Sequence, residues 1–147
     1  MKIIIKTDIN RTIKEVSESF NLKLFKALKP PFVGLEIPRF DGCLKGDEVH
    51  LKIKFGFLSQ DWISLITEQN EDENEWYFID EGRNLPPPLK RWKHRHRVVK
   101  TGETSVKIID DIFYSTNNSL LDFIIYPAMY IQFWLRKTAY KKFFKNN

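Results

Sequence analysis

LPPPLKRWKHRHRVVKTGET, Leu85 to Thr104, packs six of the chain's 24 Lys and Arg, two of its three His and one of its four Trp into twenty residues. Three structures would suit such a stretch: a basic arm, a metal site, or a strand with two unlike faces. The order of the residues separates them. Side chains alternate across a strand. From Trp92 the even positions read Trp92, His94, His96 and Val98, and the odd positions read Arg91, Lys93, Arg95 and Arg97. One face is aromatic and imidazole, and the other is cationic. A disordered basic arm would not sort its residues in this way.

The turn that follows sets the partner strand. A two-residue loop at Thr101-Gly102 would place Asp111, Ile109, Lys107 and Ser105 on the aromatic face. A three-residue loop ending at Glu103, with a left-handed Gly102, places Ile112, Asp110, Ile108 and Val106 there. The second register matches apolar with apolar and sets a carboxylate beside an imidazole, so it is the expected one. It puts His94 opposite Asp110 and Lys93 opposite Asp111. A five-residue loop would keep the same faces but put His96 opposite Asp110. Tyr114 continues the inner face in either case.

Outward from this hairpin the pattern is of one fold class. Lys2–Thr7 is a β-branched run and reads as a strand. Thr12 to Glu15 has the form of a capping box, and Val16, Phe20, Leu24 and Leu28 recur at helical spacing, predicting two short helices broken near Asn21 and ended by Pro30-Pro31. Strands follow at Phe32–Ile37 and Val49–Phe57, then Asp61–Gln69 and Glu75–Glu81 joined by an acidic turn. A last strand ends at Ser115, and Asn117-Asn118-Ser119 offer caps for a long helix, Leu120–Phe144. On that helix Ile124, Ala128, Ile131 and Leu135 form the expected buried stripe, with Asp122, Arg136, Lys137 and Tyr140 on the other side. The order predicts a single α+β domain over residues 1–147, an antiparallel sheet with a helix laid across it.

Composition excludes several classes of function. A single cysteine, Cys43, rules out an internal disulfide and a Cys-based zinc cluster, and suggests a reducing compartment. No G-x-S-x-G nucleophile elbow is present. The N-terminal apolar run is too short for a signal peptide. Leu120–Leu135 is shorter than the ~20 residues of a membrane span and holds Asp122, Pro127 and Gln132. A cytoplasmic protein without a transmembrane segment is expected. The net charge of +5 does not by itself require an anionic partner. Nucleic acid is not the expected partner, because a single-strand binder interleaves aromatics with cations on one face. The alternative is docking of the cationic strand and the tail Lys141-Lys142-Lys145 on an anionic membrane or RNA. For a metal, His94 and His96 sit ~6.6 Å apart along one face with Asp110 as a third candidate ligand. No further carboxylate or His is aimed there by the pattern, and His50 lies on the polar face of its strand. Neither a metal nor another cofactor is expected.

Several motifs then resemble one family in order along the chain. Leu28-Lys29-Pro30-Pro31 resembles its turn after two helices, and Phe78-Ile79-Asp80-Glu81 a strand end ahead of a Gly-Pro-Phe segment. Trp92-Lys93-His94-Arg95-His96 resembles its W-x-H-x-H strand. Gly102-Glu103-Thr104 with Asp110 to Tyr114 resembles G-x-T followed by D-x-V-x-Y, and Phe133–Arg136 the end of its final helix. The family is the SRPBCC superfamily, START-like and birch-pollen-allergen-like, in particular its small bacterial ligand-binding members. Pro86-Pro87-Pro88-Leu89 departs from the Gly-Pro-Phe segment. The resemblance implies a helix-grip fold, a curved antiparallel sheet around a long C-terminal helix with a cavity between them, and binding of hydrophobic molecules such as lipids, sterols or polyketides.

The expected site follows from both readings. Trp92, Phe78, Ile112 and the helix stripe Ile124, Ala128 and Ile131 would wall the cavity. His94, His96, Asp110 and Tyr114 would be the few polar groups that orient a ligand. The alternative is an enzyme, a cyclase, dehydratase or hydrolase, with His94, His96 and Asp110 as candidate catalytic groups, since a carboxylate-held imidazole in an apolar cavity can serve as a general base.

Overall fold

The alternation in Lys2–Ile9 builds the first edge of the sheet. In the computed structural model, which describes residues 1–147, Ile3, Ile5, Thr7 and Ile9 of this strand β1 point inward while Lys2, Ile4, Lys6 and Asp8 point out. Two short helices follow, α1 (Ile13–Glu18) and α2 (Leu22–Ala27). Thr12 and Glu15 close the capping box, and Asn21 caps α2 by accepting from the Lys23 and Leu24 amides.

Six more strands complete one sheet: β2 (Gly34–Phe40), β3 (Glu48–Phe55), β4 (Leu58–Glu71), β5 (Glu75–Asn84), β6 (Arg91–Gly102) and β7 (Ser105–Ser115). All pairings are antiparallel, in the order β1-β7-β6-β5-β4-β3-β2. The first strand in sequence thus crosses to pair with the last, Ile3 beside Ile112. The final helix α3 runs from Ser119 to Asn146, capped by Asn118, and packs on β1, β7 and α2. A curved antiparallel sheet gripping a long C-terminal helix is the α+β helix-grip architecture expected from the element order. No helix is long and apolar enough to cross a membrane.

The β6–β7 hairpin keeps the expected faces but not the expected register. Gly102 pairs with Ser105 around a two-residue turn, Glu103-Thr104, and the register shifts between Lys100 and Gly102. Gly102 is not left-handed. A Cβ there would meet the Ser105 hydroxyl at 2.6 Å, so a side chain at 102 would have to turn that hydroxyl aside. The extra residue at Thr101 sets His96, not His94, opposite Asp110, and Arg95, not Lys93, opposite Asp111.

The larger correction concerns α3. Ile124 and Ile131 are 62% and 55% exposed, and Ala128 is exposed too. The buried stripe is Asp122, Phe133, Tyr140, Phe143 and Phe144, with Met129 and Arg136 partly covered. The helix is apolar on both sides, so hydrophobicity alone does not choose between them. Polar satisfaction favours the other side. The Asp122 carboxylate accepts from the Thr116 amide at 2.6 Å, and the Tyr114 hydroxyl donates to the Asp122 carbonyl at 2.7 Å. Arg136 lies 3.9 Å from the buried Asp110. These partners are available only if that side faces the sheet.

Two apolar clusters flank the interior. One joins α1, α2 and the end of α3 through Phe20, Leu24, Trp76, Phe78 and Phe143. The other joins β1, β6, β7 and mid-α3 through Ile3, Ile5, Trp92, Ile112, Tyr114 and Phe133.

Candidate functional site

Strand parity assembles the site. Trp92, His94 and His96 point inward from β6, as the alternation requires, and Arg91 and Lys93 point to solvent. On β5 the same parity turns Trp76, Phe78 and Asp80 inward, and on β4 it brings Ser64 and Ile66. The inward side chains of β4, β5 and β6 form the floor of a cavity of about 220 Å³. Its walls are largely apolar: Leu35, Ile37, Leu51 and Ile53 from β2 and β3, Phe25 from α2 and Leu28 just past its end, and Met129 and Phe133 from α3. The polar groups reaching the interior concentrate at Ser64, Asp80, His94, His96 and Arg136.

Asp80 is the organising residue of the floor. Its Oδ1 accepts from the Trp92 indole at 2.9 Å and from the Ser64 hydroxyl at 3.1 Å, and Ser64 in turn accepts from the Trp62 indole at 3.1 Å. Its Oδ2 lies 2.9 Å from His96 Nε2 and 3.7 Å from His94 Nδ1. Asp110 sits behind the imidazoles, with Oδ1 2.9 Å from His94 Nε2 and 3.8 Å from His96 Nδ1. An ionised carboxylate can only accept, so His94 Nε2 and His96 Nε2 carry the protons in these two bonds. The imidazole rings lie 3.5 Å apart, and Phe78 stacks flat on His96 at 4.3 Å.

Burial shapes the charge states. The interior opposes ionisation of Asp80 and Asp110, but hydrogen bonds from His96 and His94 and the neighbouring positive charge outweigh it, holding both carboxyls below the usual range. Burial, reinforced by His94, pushes His96 down to about 4, so its ring is neutral at pH 7. Burial and the charge of Asp110 push the Tyr140 phenol well above its ordinary value. Cys43 rests against the Phe20 carbonyl, and burial pushes its thiol up to about 12, which leaves no thiolate at neutral pH.

Of the expected site residues, Phe78, Trp92, His94 and His96 line the cavity. Asp110 is buried behind it, hydrogen-bonded to His94 and close to His96 and Arg136. Ile112 and Tyr114 lie in the core beneath, with Tyr114 engaged by α3. Ile124, Ala128 and Ile131 face outward and do not line it. Two residues were missed. Asp80 shares the parity of Phe78, so the sequence did carry a signal for it. Arg136 is one turn beyond Phe133 on α3, and placing it required knowing which side of the helix faces in.

The outer face of the same strands is a solvated charge ladder. Lys93 lies 3.4 Å from Glu81, Arg95 lies 3.6 Å from Glu75 and stacks on Tyr77, and Arg97 pairs with Glu75. Lys2 meets Asp111 at 3.4 Å. The cationic stripe is thus largely answered by carboxylates on its own sheet.

A sheet-and-helix grip enclosing an apolar cavity with a small polar floor defines a helix-grip cavity protein. No family model matches the chain, and no curated protein matches it in sequence. Solved structures do. An uncharacterised protein from Bacillus thuringiensis aligns with a TM-score of 0.65 at 15% identity, covering 98% of both chains. Norcoclaurine synthase from Thalictrum flavum, in complex with dopamine and hydroxybenzaldehyde, aligns at 0.62 and 14% identity over 87% of this chain and 76% of that one. A START superfamily protein from Mycobacterium smegmatis aligns at 0.56 and 12% identity over 78% and 76%. The chain therefore shares the helix-grip fold of these structures.

Proposed function

We propose that the chain binds a hydrophobic small molecule in the cavity between sheet and α3, with Asp80, His94, His96 and Arg136 orienting it. The observation that carries this reading is the cavity itself, largely apolar on its walls, with a few polar side chains on its floor and Gln132 and Arg136 reaching it from α3. A volume of about 220 Å³ falls below the ~300–1,000 Å³ of sites for drug-sized ligands. It suits a one- or two-ring aromatic or terpenoid molecule, or the end of a longer lipid, better than an entire sterol. The two single-ring aromatics bound by the similar norcoclaurine synthase agree with that scale. The test is native mass spectrometry of protein purified from its own host. A co-purifying apolar molecule that is lost on denaturation supports the reading, and a ligand that survives Phe133→Trp, which fills the cavity, contradicts it.

A second reading, an enzyme acting on such a ligand, is favoured by the His–Asp contacts at the floor. His96 is held by Asp80 and His94 by Asp110, carboxylate–imidazole contacts of the kind that orient a general base. Asp110→Asn separates the two readings. In a carrier, affinity stays within roughly tenfold, because an amide oxygen still accepts. In an enzyme, turnover falls far more than affinity, because the charge that supports an imidazolium is gone.

A further inference from the structure

In and behind the floor four buried polar atoms lack a partner, His96 Nδ1, Asp110 Oδ2, Arg136 Nε and Tyr140 Oη, and His96 and Asp110 are almost wholly withdrawn from solvent. Such groups are rare in a folded interior. A second oddity lies beside them. His94 Nε2 faces Asp110 Oδ1 at 2.9 Å, which leaves Nδ1 turned toward Asp80 Oδ2 at 3.7 Å, too far for a hydrogen bond and near enough for both atoms to reach one shared ion.

One potential ligand atom from each of Asp80, His94 and His96 lies within 4.8 Å of the other two. The Asp80–His96 distance is 2.9 Å and the Asp80–His94 distance 3.7 Å. Ligand atoms ~2.0–2.2 Å from one ion stand about 3.0–3.5 Å apart, so small side-chain rotations bring the three to bonding distance. We propose that His94 Nδ1, His96 Nε2 and Asp80 Oδ2 form a facial site for one divalent first-row transition ion, its remaining positions opening to the cavity. Two imidazoles and one carboxylate suit zinc or its neighbours better than magnesium or calcium, which prefer all-oxygen shells.

The surroundings fit a metal's outer shell. Asp110 fixes the His94 tautomer that leaves Nδ1 free to ligate. Trp92 and Ser64 hold Asp80 through Oδ1 and leave Oδ2 for the ion. When His96 ligates through Nε2, its proton moves to Nδ1, and the orphaned Nδ1 becomes a donor facing Asp110. Nδ1 and Asp110 Oδ1 stand 3.8 Å apart, so a small rotation of the ring is needed to complete that bond. His50, the third histidine, lies apart, paired with Glu48 on the outer side of β3, and serves as an internal control.

The test uses full-length protein stripped with chelator, titrated with cobalt(II) followed by visible absorption and then with zinc. The expected result is one tight ion per chain, with zinc displacing cobalt. Asp80→Ala or His96→Ala should weaken binding at least 100-fold, Asp110→Asn about 10- to 100-fold, and His50→Ala not at all. Should the cavity variants fail to fold, imidazole nitrogen NMR of the parent gives the answer directly: zinc shifts His94 and His96 but leaves His50 unmoved. Absence of saturable one-to-one binding by the folded parent, or shifts confined to His50, overturns the proposal. Neither result bears on apolar ligand binding, which the metal titration does not measure.

Discussion

Two ladders of charge run along the same strands, one on each face of the sheet, and they are made of nearly the same chemistry. The inner ladder sets Asp80 and Asp110 against His94 and His96, and the outer one sets Glu75, Glu81 and Asp111 against Lys93, Arg95, Arg97 and Lys2. What differs is water. The outer groups keep much of their hydration, so losing one partner leaves the other solvated. The inner groups have given up solvent, and each depends on a named partner. Removing one leaves a buried donor or charge with nothing to replace it. The same strand thus has one face where substitutions are cheap and one where they are not.

The strongest way to test this contrast is Asp80→Ala, which strips His96, Trp92 and Ser64 of one acceptor at once. A loss of about 3–5 kcal/mol in chemical denaturation is expected. Acid probes the same ladder without mutation. His96 in the folded protein takes a proton only near pH 4, whereas an unfolded imidazole does so near 6.5. Between these values the unfolded chain binds more protons, so stability of the metal-free protein falls as pH drops from about 6.5 to 4, on the order of 3 kcal/mol. Below that range Asp80 and Asp110, whose carboxyls are held low when folded, extend the loss. A denaturation series flat between pH 6.5 and 4 would contradict the neutral buried ring. Asp110→Ala, which removes one partner from His94, should cost about 1–3 kcal/mol. On the outer face Lys93→Ala should cost under ~1 kcal/mol and lose even that in high salt.

The helix offers a parallel contrast of smaller size. A stripe through Ile124 and Ile131 reads from the sequence as buried, and a carboxylate at 131 would then be ruinous. Since Ile131 is exposed, Ile131→Asp should change stability by about 0.5 kcal/mol or less, as judged by its melting curve beside the parent.

What the sequence revealed and what it withheld divide along the same physics. Period-two alternation placed Trp92, His94 and His96 inward because one face of that strand is unlike the other. The same alternation extends to Asp80, two residues from Phe78 on the same face of β5. The helix was harder to read. Both its sides are apolar, and the side that packs is the one carrying Asp122 and Arg136, whose partners come from the β7–α3 turn and β7. Such tertiary polar contacts have no signature in spacing. The hairpin register turned on one extra residue at Thr101, which composition could not reveal.

The four tryptophans provide the most direct test of the central claim, that an apolar ligand enters between the sheet and α3. Trp62 and Trp92 line the cavity, Trp76 is packed in the neighbouring core, and Trp134 lies half-exposed on the outer side of α3. Indole N–H signals of labelled protein can be followed while 2-naphthol, a two-ring probe with one hydroxyl, is titrated in. Saturable shifts at Trp62 and Trp92 with Trp134 unmoved are the predicted result. Shifts at Trp134 alone would place binding on the exposed helix face and contradict the cavity as the site.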